Sequence, residues 1–308
     1  MAKIRVLQMI KQPPYLKKGD KIAIVSPAKF LPKDIDFAIS LFKQWGLEVV
    51  LGESVYEADH QFAGSDELRT KDLQRFLDDS SVKAVIASRG GYGVIRIIDN
   101  LDFSLFLENP KWLVGFSDIT VLLSHLFGKL NTQSIHAQMP YTFDDATPAS
   151  LESLRKALFG ESLTYHSKNH PLNRPGTVEG LLIGGNLTLL VMVQGSLSEM
   201  DYTDKILFIE DVGEREASID RMMRMLKRSG KLSQLKGLIV GAFNEMDEEK
   251  VPFGQSPEEI ILKVVEEYDY PVCFEFPVGH IADNQAIILG TTGQLHIDGE
   301  QVTLVQPN

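Results

Sequence analysis

The stretch KIAIVSPAKFLPKDIDFAISLFKQWGLEVVLG, residues 21–52, contains a strand, a helix and a second strand in succession. Apolar and β-branched residues dominate 21–27 and 48–52, which is typical of buried strands. Between them, 34–46 repeats its apolar residues with the period of a helix and stops at Gly46, a residue type that commonly ends helices. Strands that alternate with helices in this way form a mostly parallel sheet covered on both faces, so the stretch predicts an α/β fold.

The same alternation extends on the C-terminal side of this stretch. Ser65 precedes two acidic residues, as at the start of a helix, and this helix is predicted to run to about Asp79. Residues 82–88 and 111–116 predict two further strands, each followed by a helical segment. The first half of the chain therefore has the pattern of a mostly parallel sheet covered by helices.

A second unit follows residues 166–177, HSKNHPLNRPGT, whose prolines, asparagines and glycine predict a linker. Strand and helix signals then resume, and residues 286–305 alternate around turn signals, which predicts partly antiparallel strands. A chain of 308 residues exceeds the usual size of one compact domain. We therefore expect an N-terminal domain over 1–165 and a smaller C-terminal α/β domain over 178–308.

Composition excludes several classes of protein. The apolar share of 44% and the charged share of 24% are those of an ordinary globular protein. Because the net charge is −11 and no basic cluster occurs, we expect no nucleic-acid partner. No run approaches the roughly 18 apolar residues that cross a bilayer, and 1–20 lacks the core of a signal peptide, so we expect no membrane partner and a cytoplasmic location. The single cysteine, Cys273, lies in an apolar run and is expected to be buried.

Two loops of this sequence fall at the carboxyl ends of predicted parallel strands, where ligands of open sheets gather. One is the glycine-rich loop 89–93, and the other carries Ser117 between a strand and the next helix. A serine on such a turn exposes its hydroxyl, as a nucleophile requires, but serine is equally a common helix N-cap. The local sequence leaves both interpretations open, since Ile119 stands where the G-x-S-x-G motif of α/β hydrolases has glycine.

A serine nucleophile needs a histidine base and a carboxylate that orients the base. Among the seven histidines, His280 follows an apolar strand where a loop begins, and His136 is the second candidate. Glu210 is the first candidate for the carboxylate because it directly follows the strand-like run 206–209. Glu214 is close behind, but it suits the first turn of the next helix equally well.

Other chemistries have little support in the sequence. The glycine-rich loop lacks the G-x-G-x-x-G spacing of dinucleotide sites and the Lys-Ser/Thr pair of the P-loop, so no nucleotide cofactor is expected. No HExxH, paired CxxC or carboxylate cluster with ligand spacing occurs, so we expect no metal.

Five stretches in chain order carry a resemblance to a known family: RGGYGVIRIIDNLDF, NPKWLVGFSDITVLL, GLLIGGNLTLL, ILFIEDVGEREASIDRMM and FPVGHIADNQAIILG. Together they resemble the LD-carboxypeptidase family of serine peptidases, which also includes microcin-immunity hydrolases, and the resemblance covers nearly the whole chain. It implies a Rossmann-like N-terminal domain, a smaller C-terminal α/β domain and an active site between them. The implied activity is removal of the terminal D-alanine from murein tetrapeptide during peptidoglycan recycling, without a cofactor, by an enzyme that is often a homodimer.

The resemblance also implies roles for individual residues. It makes Ser117 of GFSD the nucleophile, Glu210 of IEDVGE the acid of the triad and His280 of PVGH the base. The backbone amides of Gly91 and Asp118 would form the oxyanion hole. One departure is HAQMP, which stands where many members have a histidine followed by Gly-Pro-Met, and it leaves the shape of that wall of the site open.

Two alternatives remain at this point. A microcin-immunity hydrolase would use the same triad on a peptidyl nucleotide, although IEDVGE is more similar to the murein-recycling branch. A catalytically silent protein would keep the fold only to bind peptide fragments, but it would have no need of all three triad residues.

Overall fold

The structure, a computed structural model, describes residues 9–246 and 251–307. The first eight residues of the segment 1–20 considered above therefore lie outside the described residues. Within the described ranges the strands form a six-stranded and a seven-stranded sheet, and helices alternate with strands along the chain. This architecture confirms the predicted α/β class. None of the described helices combines the length and apolar character that a bilayer span needs.

The strands and helices have the following bounds. The strands are β1 (Lys21–Val25), β2 (Glu48–Leu51), β3 (Val82–Ala87), β4 (Trp112–Gly115), β5 (Ser134–His136), β6 (Leu163–Lys168), β7 (Gly176–Asn186), β8 (Lys205–Val212), β9 (Gly237–Asn244), β10 (Val272–Cys273), β11 (Ile287–Leu289), β12 (Thr292–Ile297) and β13 (Gln301–Gln306). The α-helices are α1 (Asp36–Gln44), α2 (Asp66–Asp78), α3 (Val94–Ile97), α4 (Ser104–Glu108), α5 (Thr120–Leu130), α6 (Pro148–Phe159), α7 (Leu187–Met192), α8 (Glu216–Arg228) and α9 (Pro257–Val264). Short 3-10 helices cover Glu53–Tyr56, Ile98–Asn100, Ser117–Ile119, Pro140–Asp145 and Leu232–Gln234.

The first sheet has the strand order β11-β5-β4-β3-β1-β2. Strands β1 to β5 pair in parallel, as the alternation of strands and helices predicted. The edge strand β11 comes from far along the chain and pairs antiparallel with β5, so that Ile287 faces His136. Because β3 and β4 are parallel neighbours, their carboxyl ends bring the glycine-rich loop and Ser117 to the same edge.

The second sheet has the strand order β10-β9-β8-β7-β12-β13-β6. Its first four strands are parallel, whereas β12, β13 and β6 join antiparallel. The directions of β12 and β13 confirm the partly antiparallel strands predicted for residues 286–305, whereas β6 was not predicted. Cys273 lies in β10 and is fully buried, as expected. Burial raises the pKa of its thiol to about 12, so the side chain stays an uncharged packing residue.

The predicted domain limits differ from the sheet boundaries in two places. Residues 163–168 form β6 and pair with β13, so the second sheet begins before the end of the predicted domain 1–165 and includes the start of the predicted linker 166–177. The polar residues there suit β6 because it is the outermost strand and alternate side chains are exposed. In the other direction, β11 leaves the C-terminal region to complete the first sheet. The division into 1–165 and 178–308 stays a prediction.

Helix ends are fixed by the residues that predicted them. The hydroxyl of Ser65 accepts a hydrogen bond from the amide of Leu68 at 3.2 Å at the start of α2. After α1, Gly46 adopts a φ of 89°, a left-handed conformation that ends the helix. Local sequence thus determines where these elements start and stop.

Candidate active site

Ser117 lies on the turn between β4 and α5, at the carboxyl edge of the first sheet. Its φ is 62°, a left-handed backbone conformation that residues other than glycine rarely adopt and that is common at functional sites. The residue opens a 3-10 turn that leads into α5, and it makes no capping hydrogen bond there. Its half-buried hydroxyl has no partner within 9–246 and 251–307, so the N-cap interpretation of Ser117 is wrong.

The glycine-rich loop lies directly against Ser117. A Cβ atom at Gly90 would stand 2.8 Å from Cβ of Ser117 and 3.3 Å from the amide nitrogen of Asp118, so only glycine fits without a shift. The next residue, Gly91, has a φ of 110°. In the part of the chain that the structure describes, the amides of Gly91 and Asp118 make no hydrogen bond, which leaves both free to donate to an anion. Their role as an oxyanion hole stays a prediction.

Two buried charged side chains hold this loop in place. The carboxylate of Asp118, which is 2% exposed, accepts a hydrogen bond from the amide of Val94 at 2.9 Å. Burial raises the pKa of Asp118, although this hydrogen bond and the charge of Arg69 oppose the shift. The guanidinium of Arg69 donates to the carbonyl oxygens of Pro27 at 2.6 Å and Gly93 at 3.1 Å. The loop backbone is therefore fixed before any ligand arrives.

Glu210 and His280 form a hydrogen-bonded acid–base pair. The distance from Nδ1 of His280 to Oε2 of Glu210 is 2.7 Å, and Nδ1 donates because a carboxylate only accepts. Glu210 is fully buried, whereas the side chain of His280 is 19% exposed. Burial lowers the pKa of His280, but the charge of Glu210 and the hydrogen bond to it, with Asp211 and Glu245, outweigh that effect and raise the pKa above its usual value. Nε2 has no partner among the described residues and can accept a proton.

An irregularity in the second sheet supports this acid–base pair. Strands β8 and β9 pair in register except beside Glu210, where β9 has one extra residue. The amide of Ala242 in this bulge donates to the carbonyl oxygen of Val278 at 2.9 Å, two residues before His280. A Cβ atom at Gly279 would stand 2.8 Å from Cβ of Glu210, so a glycine lets the two segments approach. The bulge and the glycine therefore position the base beside the acid.

Residues on either side of Ser117 make contacts between the two sheets near the acid–base pair. The ring of Phe116, the residue before Ser117, lies 4.8 Å from the ring of His280 between centroids. Three residues after Ser117, the hydroxyl of Thr120 accepts a hydrogen bond from the amide of Asn186 at 3.1 Å. Asn186 in turn is paired with Glu210 in the parallel pairing of β7 and β8. Residues close to Ser117 in the chain thus contact His280 and the strand neighbour of Glu210 where the two sheets meet.

His136, the second candidate for the base, lies in a different environment. It is fully buried at the end of β5, with ring centroids 5.7 Å from Phe116 and 4.9 Å from Phe208. Oδ1 of Asn284 accepts hydrogen bonds from Nε2 of His136 at 3.2 Å and from the amide of Gly279 at 2.8 Å. Burial lowers the pKa of His136 to about 4, so the ring is neutral at pH 7. A neutral imidazole without solvent contact suits packing between the sheets better than proton transfer.

The other acidic residues near the end of β8 form hydrogen bonds with residues other than His280. Asp211 accepts hydrogen bonds from Nδ2 of Asn186 at 2.8 Å and from the amide of Thr188 at 2.9 Å. Burial and the neighbouring charge of Glu210 raise the pKa of Asp211 to about 6. Glu214 accepts a hydrogen bond from the hydroxyl of Thr188 at 3.0 Å. In the described ranges no three His, Cys, Asp or Glu side chains are grouped as ligands for a metal ion.

Sequence reasoning missed the residues that hold the base in place. Nδ2 of Asn244 donates to the carbonyl oxygen of His280 at 2.8 Å, and Asn284 binds the amide of Gly279 as described above. Asn284 lies four residues after His280 in HIADNQ. Because asparagine side chains often bind the backbone of a turn, this residue could have been identified from the sequence as a support for the turn at His280. Asn244 lies on β9, and no local pattern indicates its contact.

Two protein-family models match the chain in order. The LD-carboxypeptidase N-terminal domain matches residues 22–137, and the LD-carboxypeptidase C-terminal domain matches residues 179–295. Among similar proteins, the "Probable murein peptide carboxypeptidase" of Bacillus subtilis is 33% identical over 291 residues, which cover 92% of this chain and 91% of that protein. The matches extend over both sheets.

Solved structures share the architecture. The crystal structure of muramoyltetrapeptide carboxypeptidase from Oxalobacter formigenes has a TM-score of 0.84 at 29% identity and covers 94% of this chain and 99% of that one. The structure of MccF in complex with glutamyl sulfamoyl guanosine has a TM-score of 0.86 at 20% identity, with 97% and 99% covered. At that identity the second likeness shows the fold alone. Both confirm the expected fold.

Proposed function

Because this chain belongs to the LD-carboxypeptidase family of serine peptidases, we propose that it removes the terminal D-alanine from murein tetrapeptide. The bond cut joins an L-centre of the diamino acid to the D-alanine. One observation supports the proposal: His280 and Glu210 are hydrogen-bonded at 2.7 Å, and the ring of His280 contacts Phe116, the residue before Ser117, whose φ of 62° is typical of a functional turn. A nucleophile, a base and an acid that orients the base are the parts of a serine triad.

In this proposal Ser117 is the nucleophile and His280 is the base. Nε2 of His280 takes the hydroxyl proton as Oγ attacks the carbonyl carbon, and the amides of Gly91 and Asp118 donate to the oxyanion that forms. Glu210 keeps the proton on Nδ1 and stabilises the imidazolium. The imidazolium then gives its proton to the departing amine of D-alanine. A water molecule, activated by the same base, hydrolyses the acyl-enzyme and restores the serine.

The test is incubation of the purified protein with murein tetrapeptide, followed by mass spectrometry. We expect the peptide to lose one D-alanine residue and free D-alanine to appear. Two controls define the reaction: the Ser117→Ala variant should release no D-alanine, and a peptide that ends in L-alanine should stay intact. An unchanged tetrapeptide, in the presence of protein shown by circular dichroism to be folded, would contradict the proposal.

A second candidate is a hydrolase of the microcin-immunity type. The fold likeness to MccF, at a TM-score of 0.86, is the observation that favours it. The higher identity of 33% to a protein named for murein peptides supports the first candidate instead. A parallel assay with an aminoacyl sulfamoyl nucleoside separates the two, because release of the nucleoside without any release of D-alanine would reassign the substrate.

The proposal includes a cytoplasmic location, where murein fragments are recycled, and a homodimer, as the family resemblance implies. Light scattering of the purified protein tests the second part. A mass of about twice the 34.4 kDa of one chain would support the dimer, and a mass of one chain would contradict it.

A further inference from the structure

Lys29 lies beside the glycine-rich loop, on the segment that follows β1. Its amide donates to the carbonyl oxygen of Gly90 at 3.4 Å. Its side chain runs along Gly91, where an added Cβ would stand 2.5 Å from Cδ, 2.7 Å from Cγ and 3.1 Å from Cε of the lysine. Gly90 is the residue that contacts Ser117, and neighbouring Cα atoms are about 3.8 Å apart. The aliphatic part of the Lys29 side chain therefore lies about one residue's length from Gly90, the glycine that contacts Ser117.

The ammonium group of Lys29 makes no ion pair or hydrogen bond with any residue of 9–246 or 251–307, although the side chain is half-buried. Two neighbouring cations have partners: Lys33 pairs with Asp144 at 2.8 Å, and Arg89 donates to the carbonyl oxygen of Phe30 at 2.9 Å. A half-buried charge loses part of its hydration, and an anionic ligand would compensate for that loss. Lys29 thus has the properties of an anion-binding residue.

The proposed substrate carries an anion at a matching distance from the bond that is cut. Only the amide nitrogen and one Cα separate the terminal carboxylate from the scissile carbonyl carbon, a span of about 4 Å. We infer that Lys29 binds the α-carboxylate of the departing D-alanine through a charge-assisted hydrogen bond from its ammonium group. This inference rests on the proposed function and deepens it, because it names the group that recognises the end of the peptide.

Such a contact explains why the enzyme would act on the last residue and not within a longer peptide. A chain that continued past the cleaved residue would present a neutral amide to Lys29 in place of a carboxylate. The ammonium would then act only on the buried carboxylate of Asp118, with which it forms no ion pair, and the loss of its anionic ligand lowers the affinity for that peptide. Recognition of the free carboxylate therefore predicts a measurable preference between two substrates.

The experiment compares murein tetrapeptide with the same peptide ending in a carboxamide, using the full-length protein and its Lys29→Met variant. Methionine keeps an unbranched stem against Gly91 and removes the charge. The unsubstituted protein should prefer the free carboxylate. In Lys29→Met, kcat/KM for the free carboxylate should fall about 10- to 100-fold, chiefly through a higher KM, while kcat/KM for the carboxamide stays the same. The preference between the two substrates should therefore disappear.

Two further variants sharpen the result. Lys29→Arg keeps a positive charge and should retain most of the preference. Lys33→Met removes a neighbouring lysine that already pairs with Asp144 and should leave the preference unchanged. A Lys29→Met variant that still prefers the free carboxylate to the same degree would overturn the inference alone. Absence of D-alanine release by the unsubstituted protein would instead contradict the proposed function, and the inference with it.

Discussion

The two sides of the candidate site are held by different kinds of interaction. On the first sheet, backbone geometry places Ser117, through a φ of 62° and a contact with Gly90 that leaves no room for a side chain. On the second sheet, side-chain hydrogen bonds place His280, since Glu210 binds its ring and Asn244 binds its carbonyl oxygen. The position of Ser117 itself therefore depends mainly on shape, although Asp118 and Arg69 hold the adjoining loop by hydrogen bonds. The position of His280 depends mainly on polar partners, although Gly279 is needed for its close approach.

This difference indicates how each side responds to substitution. A change of side chain at position 117 removes the hydroxyl but leaves the neighbours that set the turn. On the other side, removal of one partner leaves a buried polar group without its hydrogen bond. The nucleophile side should therefore be sensitive to added volume around the loop, and the acid–base side to the loss of a single charge.

The largest effect is expected for Ser117→Ala, which tests the nucleophile side directly. We expect kcat to fall about 10⁴- to 10⁶-fold, as for other triad nucleophiles, because no neighbouring group can replace the hydroxyl. The melting temperature should stay close to that of the unsubstituted protein, since alanine adds no volume to the turn. D-alanine release and thermal unfolding measure both quantities. Retained turnover would contradict the serine mechanism.

The next effect is expected for Glu210→Gln, which tests the acid–base side. The amide removes the charge that stabilises the imidazolium and that orients Nδ1–H, so kcat should fall about 10³- to 10⁴-fold. Glu214→Gln is the matched control, because Glu214 binds Thr188 and should change kcat only slightly. Steady-state kinetics of both variants decide the assignment. Equal losses would show that the hydrogen bond to His280 does not select the acid.

Gly90→Ala should have a smaller effect on kcat, because it changes only the space available beside Ser117. The new Cβ would stand 2.8 Å from Cβ of Ser117 and must displace it, so we expect a loss in kcat of about 10- to 100-fold. Gly299→Ala is the control, because an added Cβ there meets nothing within 4 Å. Kinetics and thermal unfolding of the two variants are compared side by side. Normal activity in Gly90→Ala would mean that the loop can move away from the serine.

The smallest effect is a shift of the pH profile. Only the neutral ring of His280 accepts a proton, so kcat/KM should rise with pH through a pKa above the usual value of about 6.5. In Glu210→Gln the burial that lowers this pKa remains while the charge that raises it is lost. The acidic limb of the residual activity should therefore move to lower pH. A limb that stays in place would show that Glu210 does not set the pKa of His280.

Local sequence predicted the elements that carry the site. Apolar runs indicate buried strands, and the sequence shows which polar residue directly follows each run. Ser117 and Glu210 could therefore be identified as candidates. Local sequence placed His280 ahead of His136, and the family resemblance supported that choice. The contact between Glu210 and His280 could not be predicted locally, because the two residues are 70 positions apart. Their hydrogen bond is a property of the fold.

The features that could not be predicted depend on packing between distant segments. Strands β5 and β11 have three residues each, too few for a period, and they pair across most of the C-terminal half of the chain. The bulge beside Glu210 and the approach of Lys29 to Gly91 arise in the same way. In each case the local sequence fits several partners, and only the assembled sheets select one.

The pairing of β11 also determines what would happen if the chain were cut between the two sheets. A protease that cut the polar stretch between β6 and β7 would produce two fragments, each of which keeps a strand that belongs to the other's sheet. The C-terminal fragment would still supply β11, whose Ile287 and Leu289 are at most 1% exposed, and the N-terminal fragment would still supply β6 beside β13. This reciprocal exchange resembles a domain-swapped dimer folded into one chain. The nicked protein should therefore migrate as a single particle under native conditions and keep the contact between Phe116 and His280.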